Sequence, residues 1–247
     1  SIWVTGVQTC ALPISTRAGG VSVGAFASLN LGSHVGDDAH AVSENRQRLR
    51  AALALPRDPV WLNQVHGHAV VEASVHDAPP TADASFSRSP GQACVVLTAD
   101  CLPVLLCDRD GTCVAAAHAG WRGLAGGVVE NALRAMGVSP MRVLAWLGPA
   151  IEQDMFEVGP EVRDQFVARS SDNDGAFLAN ARGRWQADLY DLARRELARL
   201  GVTEVFGGGL RCYADRERFY SYRRDGKTGR IYMEIGKRRV GKECRSR

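Results

Sequence analysis

Three short apolar runs, Ala93–Thr98, Leu102–Cys107 and Thr112–Ala117, follow one another closely in the middle of the chain. They are rich in β-branched and small residues and too short for helices, so they predict buried strands. Asp108-Arg109-Asp110-Gly111 between the second and third is a turn signal. A hairpin closed there pairs Cys107 with Thr112, and counting back along both strands sets Cys101 opposite His118. Opposed residues share a sheet face. Upstream, Trp61–Val71 also reads as a strand, which puts Gln64, His66 and His68 on one face.

Helical spacing marks other segments. Asp37 to Leu55 has Val42, Leu49 and Leu53 at helical intervals and is stopped by Pro56. Leu124 to Met136 carries Val128, Val129, Ala132, Leu133 and Met136 on one face, with Gly137 as its stop. Glu161–Ala168 and Leu189–Leu200 are amphipathic helices, and Val143–Leu147 is a further strand. Neither repeats nor heptads are present, and strands and helices mix without strict alternation. The pattern predicts a single α/β (α+β) domain, a mixed-sheet layered sandwich, rather than a dinucleotide-binding fold.

Composition adds two constraints. The 247 residues are 45% hydrophobic and 23% charged, as in an ordinary globular chain with ample core. The net charge of +3 is carried by one end: residues 231–247 hold six Lys/Arg against two Glu, so the remainder is slightly acidic. A basic nucleic-acid surface is therefore not expected. Seven cysteines without a C-x-x-C pair, most of them in apparent strands, point to reduced thiols in a cytoplasm. The N-terminus lacks a positive region and a cleavage site, and no apolar run is long enough to span a membrane, so neither a signal peptide nor a membrane span is expected.

His66, Cys101 and His118 form the candidate site. Two imidazoles and a thiolate without an evident fourth ligand suit a catalytic metal, and Cys101 with His118 equally suits a nucleophile pair. Asp100 is placed to orient a ligand, to act as a base, or simply to cap the turn. Arg46 and Arg122 are candidate anion holders, the latter beside glycines at a helix start. His34, His40 and His76 read as solvated loop residues, Arg223-Arg224 as surface, and Gly207–Gly209 as a weak phosphate-turn signal.

Asn63-Gln64-Val65-His66-Gly67, Thr98-Ala99-Asp100-Cys101-Leu102-Pro103 and Ala117-His118-Ala119-Gly120-Trp121-Arg122-Gly123 resemble the signature motifs of the laccase-domain family. Its members are known as polyphenol oxidoreductases, purine nucleoside phosphorylases and peptidoglycan editing factors. Supporting matches run from Thr16–Ser22 to Phe219–Gly226. The resemblance implies a mixed α/β sandwich and zinc held by His66, Cys101 and His118. It also implies phosphorolysis of adenosine, inosine and methylthioadenosine, with adenosine deamination in the same pocket. Arg46, Gln64, Asp100 and Arg122 are the expected substrate or phosphate contacts, in a cytoplasmic monomer or small homo-oligomer. The rival readings are a copper polyphenol oxidase, a Cys-His hydrolase editing peptidoglycan precursors, and a zinc-stabilised binding module. The pattern departs at Arg211-Cys212-Tyr213, where the family has Cys-Thr-Tyr, so no role passes to Cys212. It departs again at both ends. Residues 15–230 are taken as the domain, with 1–14 and 231–247 as non-native extensions that replace a last strand and pack poorly.

Overall fold

The computed structural model describes residues 2–7, 10–74 and 76–237. Its strands are β1 (Ile2–Val7), β2 (Cys10–Ser15), β3 (Val70–Glu72), β4 (Ala84–Ser87), β5 (Ala93–Thr98), β6 (Leu102–Asp108), β7 (Val114–Ala119), β8 (Val143–Leu147), β9 (Glu157–Val158), β10 (Phe177–Ala179), β11 (Trp185–Ala187), β12 (Glu204–Gly207) and β13 (Ile231–Lys237). The α-helices are α1 (Ala39–Leu53), α2 (Trp121–Ala125), α3 (Val128–Met136), α4 (Pro160–Val167), α5 (Leu189–Arg199) and α6 (Tyr222–Asp225). Among the described residues one sheet runs β1-β2-β13-β5, a larger one β12-β8-β6-β7-β4-β3, and a small one β10-β11-β9.

Alternation along the strands builds the layers. Leu105 and Cys107 of β6 and Val114 and Ala116 of β7 pack against Cys94, Val96, Met233 and Ile235 of the four-stranded sheet. Their neighbours Val104, Leu106, Ala115 and Ala117 face the other way, onto Val128, Val129, Ala132 and Met136 of α3 and Leu192 and Leu197 of α5. The far side of the four-stranded sheet, Val95, Leu97 and Tyr232, is covered by Leu49 of α1 with Leu29 and Leu31. The result is helix, sheet, sheet, helices, the layered mixed sandwich expected of the sequence. β6 and β7 are buried on both faces, which is why they read as continuous apolar runs.

Helix boundaries follow local chemistry. The Asp38 carboxylate accepts the Ala41 N–H at 2.8 Å and starts α1, and Asp188 accepts the Tyr190 and Asp191 N–H groups to start α5. The predicted helix from Leu124 to Met136 is two helices, α2 and α3. Gly127 breaks it by adopting φ +88°.

Three expectations need correction. The hairpin register is shifted by two: Cys107 pairs with Val114 and Pro103 with His118. The cause is a longer turn, in which the Asp108 carbonyl accepts the Gly111 N–H at 2.7 Å while the Asp108 N–H donates to Cys113 at 2.9 Å. An even shift keeps every side chain on its predicted face. Trp61–Val71 is not a continuous strand; apart from an isolated bridge between Asn63 and Thr81 it is loop until β3 begins at Val70. Finally, residues 231–236, expected to pack poorly, are paired within the four-stranded sheet. β13 lies between β2 and β5, and Ile231, Tyr232 and Met233 are fully buried. Hydrogen-bonding and apolar demand of the β5 edge draws this segment in. Residues 238–247, with 1, 8 and 9, lie outside the described residues. Among the described residues Cys94, Cys101, Cys113 and Cys212 carry free thiols.

If β13 belongs to the cooperative core, Met233→Ala should destabilise the protein by about 2–5 kcal/mol, as other buried Met-to-Ala truncations do. Urea denaturation monitored by fluorescence measures this, and a loss near zero would place the strand outside the core.

Candidate metal centre

The chain changes sheets between β5 and β6, and the site sits at that crossing. Cys101 lies in the three-residue link, His118 near the end of β7, and His66 in the loop that precedes β3. Their ligand atoms lie within 4.8 Å of one another. The two imidazole rings meet edge to face, with centroids 4.9 Å apart. The trio named from the sequence is therefore brought together, although by a different register from the one that suggested it.

What holds it is a residue that the sequence reading missed. Asp83 is fully buried and is the cross-strand partner of His118, one step beyond the Ala84–Ala117 pair. Its Oδ1 sits 2.8 Å from His118 Nδ1 and its carbonyl accepts the His118 N–H at 2.7 Å. The same carboxylate accepts the backbone N–H groups of Val65, His66 and Gly67 at 3.2, 2.9 and 2.7 Å. One carboxylate thus orients one ligand ring and pins the loop carrying the other, with His66 held at φ +60°. With Nδ1 donating to Asp83, the lone pair of His118 is on Nε2. Burial works against the charge on Asp83, but the His118 hydrogen bond and these N–H groups outweigh it and hold the carboxyl below its ordinary pKa.

Gly120 closes the site from below. A Cβ there would lie 2.8 Å from Cys101 Sγ and 3.2 Å from His66 Cδ2, so only glycine leaves the ligands their places. Burial raises the Cys101 pKa, but His118 and His66 more than offset this and bring it to about 6. Burial likewise lowers that of His118, while Cys101 and Asp83 carry it up to about 9. Two imidazoles and a thiolate with this character form a donor set that fits zinc, and copper also accepts it.

The trio opens into a cavity of about 550 Å³. Guanidinium groups line it at Arg122, Arg223 and Arg230, with the His34 imidazole beside them, and aromatic surface at Trp121, Phe156 and Tyr222. Burial and the neighbouring Arg230 lower the His34 pKa, so its imidazole favours the neutral form. Arg122 stacks on Trp121 with 4.4 Å between guanidinium and ring centroid. Asp100 lines the cavity too, with its carboxyl pushed up by burial against the opposing pull of the Arg223 N–H and Ser221.

Two expected contacts have other work. Arg46 is outside the cavity; its Nε and Nη2 donate to the Leu31 carbonyl at 3.0 and 2.8 Å, and it stacks on Trp61 at 3.8 Å. Gln64 lines the cavity, but its amide pairs with both backbone groups of Leu97, at 2.9 and 2.8 Å. It finishes the open edge of β5 as a strand would. His34 and Arg223 are exposed, as expected, but they also line the cavity, whereas the Arg224 side chain is buried, donating to the Cys212 and Tyr213 carbonyls at 3.0 and 2.7 Å. The similarity of Phe219–Gly226 to the family pattern was the available signal for these arginines.

The family described as multi-copper polyphenol oxidoreductase laccase matches residues 11–238. The chain belongs to this family. It is 56% identical over 226 residues to a Pseudomonas aeruginosa protein named purine nucleoside phosphorylase, with 91% of each chain covered. Against the purine nucleoside phosphorylase YfiH of Escherichia coli it is 52% identical, covering 92% of each. Its structure superposes on the crystal structure of a Neisseria meningitidis protein with a TM-score of 0.93 at 48% identity, covering 96% of this chain and 99% of that one. YlmD of Geobacillus stearothermophilus gives a TM-score of 0.88 at 30% identity, with 94% and 93% covered. Among the described residues no helix of this family member is long and apolar enough to cross a membrane.

Removing the carboxylate charge while keeping the shape tests its role. Asp83→Asn should weaken metal binding at the trio by about 10–100-fold, the usual effect of losing such a supporting partner. Competition with a chromophoric chelator reads this out; an unchanged affinity would remove Asp83 from the centre.

Proposed function

We propose that the protein is a zinc-dependent purine nucleoside phosphorylase acting on adenosine, inosine and methylthioadenosine, and that it also deaminates adenosine. The names of its relatives support the first part. The observation that carries the reading is that the His66–Cys101–His118 donor set and three arginines open into one cavity with aromatic walls.

In phosphorolysis an orthophosphate oxygen bonds to C1′ of the ribose as the bond from C1′ to N9 breaks. The electron pair leaves with the purine, which gains a proton, and ribose 1-phosphate remains. Arg122 is the residue best placed to hold the phosphate. Its guanidinium stacks on Trp121, whereas Arg223 and Arg230 already donate to backbone carbonyls. Trp121, Phe156 and Tyr222 offer flat apolar surface to a purine and exclude water from the reacting bond. Zinc, when bound by His66, Cys101 and His118, supplies Lewis acidity to this cavity. Copper is the alternative ion.

Two rival readings have a specific observation each. The family description suggests a copper oxidase, yet the described residues contain one three-donor group, whereas multicopper chemistry needs several. The lowered Cys101 pKa beside His118 would suit a thiol hydrolase acting on peptidoglycan precursors.

Phosphate dependence separates the three. Inosine cleavage should require phosphate and yield ribose 1-phosphate. Arg122→Ala should raise the KM for phosphate by roughly 10–100-fold, the loss expected for a charge-assisted contact, with zinc content unchanged. Cleavage without phosphate, or rapid phenol oxidation with no nucleoside turnover, would overturn the phosphorylase reading.

A further inference from the structure

The cavity wall beside Cys101 contains two buried polar atoms that meet no partner among the described residues, Thr98 Oγ1 and Asp100 Oδ1. Both residues line the cavity, and they are 1% and 8% exposed. The other oxygen of Asp100 is engaged, accepting the Arg223 N–H at 2.7 Å, so the carboxylate is fixed in orientation with one oxygen spare. A buried carboxylate oxygen without a donor is costly, and native proteins rarely keep one that has no use. Asp100 adds a second penalty, a backbone φ of +94° in a non-glycine residue. Glycine would relieve both. An acidic side chain held at such a position is explained by a ligand that supplies hydrogen-bond donors.

We propose that Thr98 and Asp100 bind the ribose hydroxyls of the nucleoside and select ribonucleosides over deoxyribonucleosides. This rests on the phosphorylase reading above. The chemistry of the pair favours the sugar over the base. A carboxylate only accepts, while a threonine hydroxyl both donates and accepts. Inosine and adenosine present donors at different positions on the purine edge, so a fixed acceptor there would match one and miss the other. Their ribose hydroxyls are common to both and can always donate.

The test compares inosine with 2′-deoxyinosine and 3′-deoxyinosine at saturating phosphate, in wild type, Asp100→Asn and Thr98→Val. In Asp100→Asn the amide oxygen can stay on the Arg223 N–H, which turns the NH₂ donor toward the site of Oδ1. Wild type should favour inosine over at least one deoxy analogue by about 10–100-fold in kcat/KM, the discrimination a site built for a hydroxyl provides. Asp100→Asn should bring that ratio to within about threefold through loss of inosine turnover. Thermal melting and zinc content establish that the variants are folded, and Thr98→Val carries the same readout should Asp100→Asn not fold. A ratio near one in wild type would overturn the proposal, as would an unchanged ratio in the variants. A shift in the inosine-to-adenosine preference at constant sugar ratio would also overturn it, assigning the pair to the purine edge. If wild type cleaves no nucleoside at any phosphate concentration, the phosphorylase reading fails by itself. Equilibrium binding of inosine and its deoxy analogues to the same three proteins then decides the sugar assignment by the same ratio.

Discussion

The Asp83 carboxylate is the point on which the site depends. It is fully buried, and its charge is kept there by four hydrogen bonds: one from the His118 ring and three from the backbone of Val65, His66 and Gly67. Those groups come from two segments with no covalent reason to be adjacent. A buried carboxylate that lost them would carry a large desolvation cost, so the loop, the ring and the acid are stable only together. Geometry that a metal requires is thereby set by protein contacts alone.

The same economy of position explains where the site lies. β5 belongs to the four-stranded sheet and β6 to the six-stranded sheet, and the chain passes between them through Ala99, Asp100 and Cys101. Backbone at such a crossing belongs to neither ladder. Asp100 is free to take φ +94°, and its carbonyl accepts the Ile151 N–H at 2.9 Å instead of a strand partner. Rigid sheets on either side fix the ends of the link to within the tolerance that chemistry needs. Gln64, clamped on Leu97, and Gly120, whose missing Cβ leaves room for Cys101 Sγ, complete the enclosure.

Burial also sorts the polar side chains in and around the cavity into two kinds. Arg46, Arg224 and Gln64 look from their chemistry like ligands for substrate, yet each is consumed by main-chain groups. Their work is to satisfy carbonyls and N–H groups that loops would otherwise leave unpaired. Arg122, by contrast, lines the cavity stacked on Trp121. Residue type alone does not separate these roles, because the same guanidinium serves both.

The sequence by itself determined most of the strands and helices, the layered class and the grouping of His66, Cys101 and His118. Apolar runs report burial, and β5, β6 and β7, buried at every position, are written as continuous apolar stretches. It also placed Cys101 and His118 on a common side, since a register error of two leaves face assignment intact. Tertiary structure alone decided the rest. Asp83 sits in a polar connection with no periodic signal, and it becomes the partner of His118 only because β4 pairs with β7. The place of β13 likewise depends on an open edge of β5 that no local pattern reveals, so a segment of unremarkable composition becomes core. Long-range strand pairing is a property of the whole sheet, chosen by the burial of many faces at once, and no short stretch of sequence carries it.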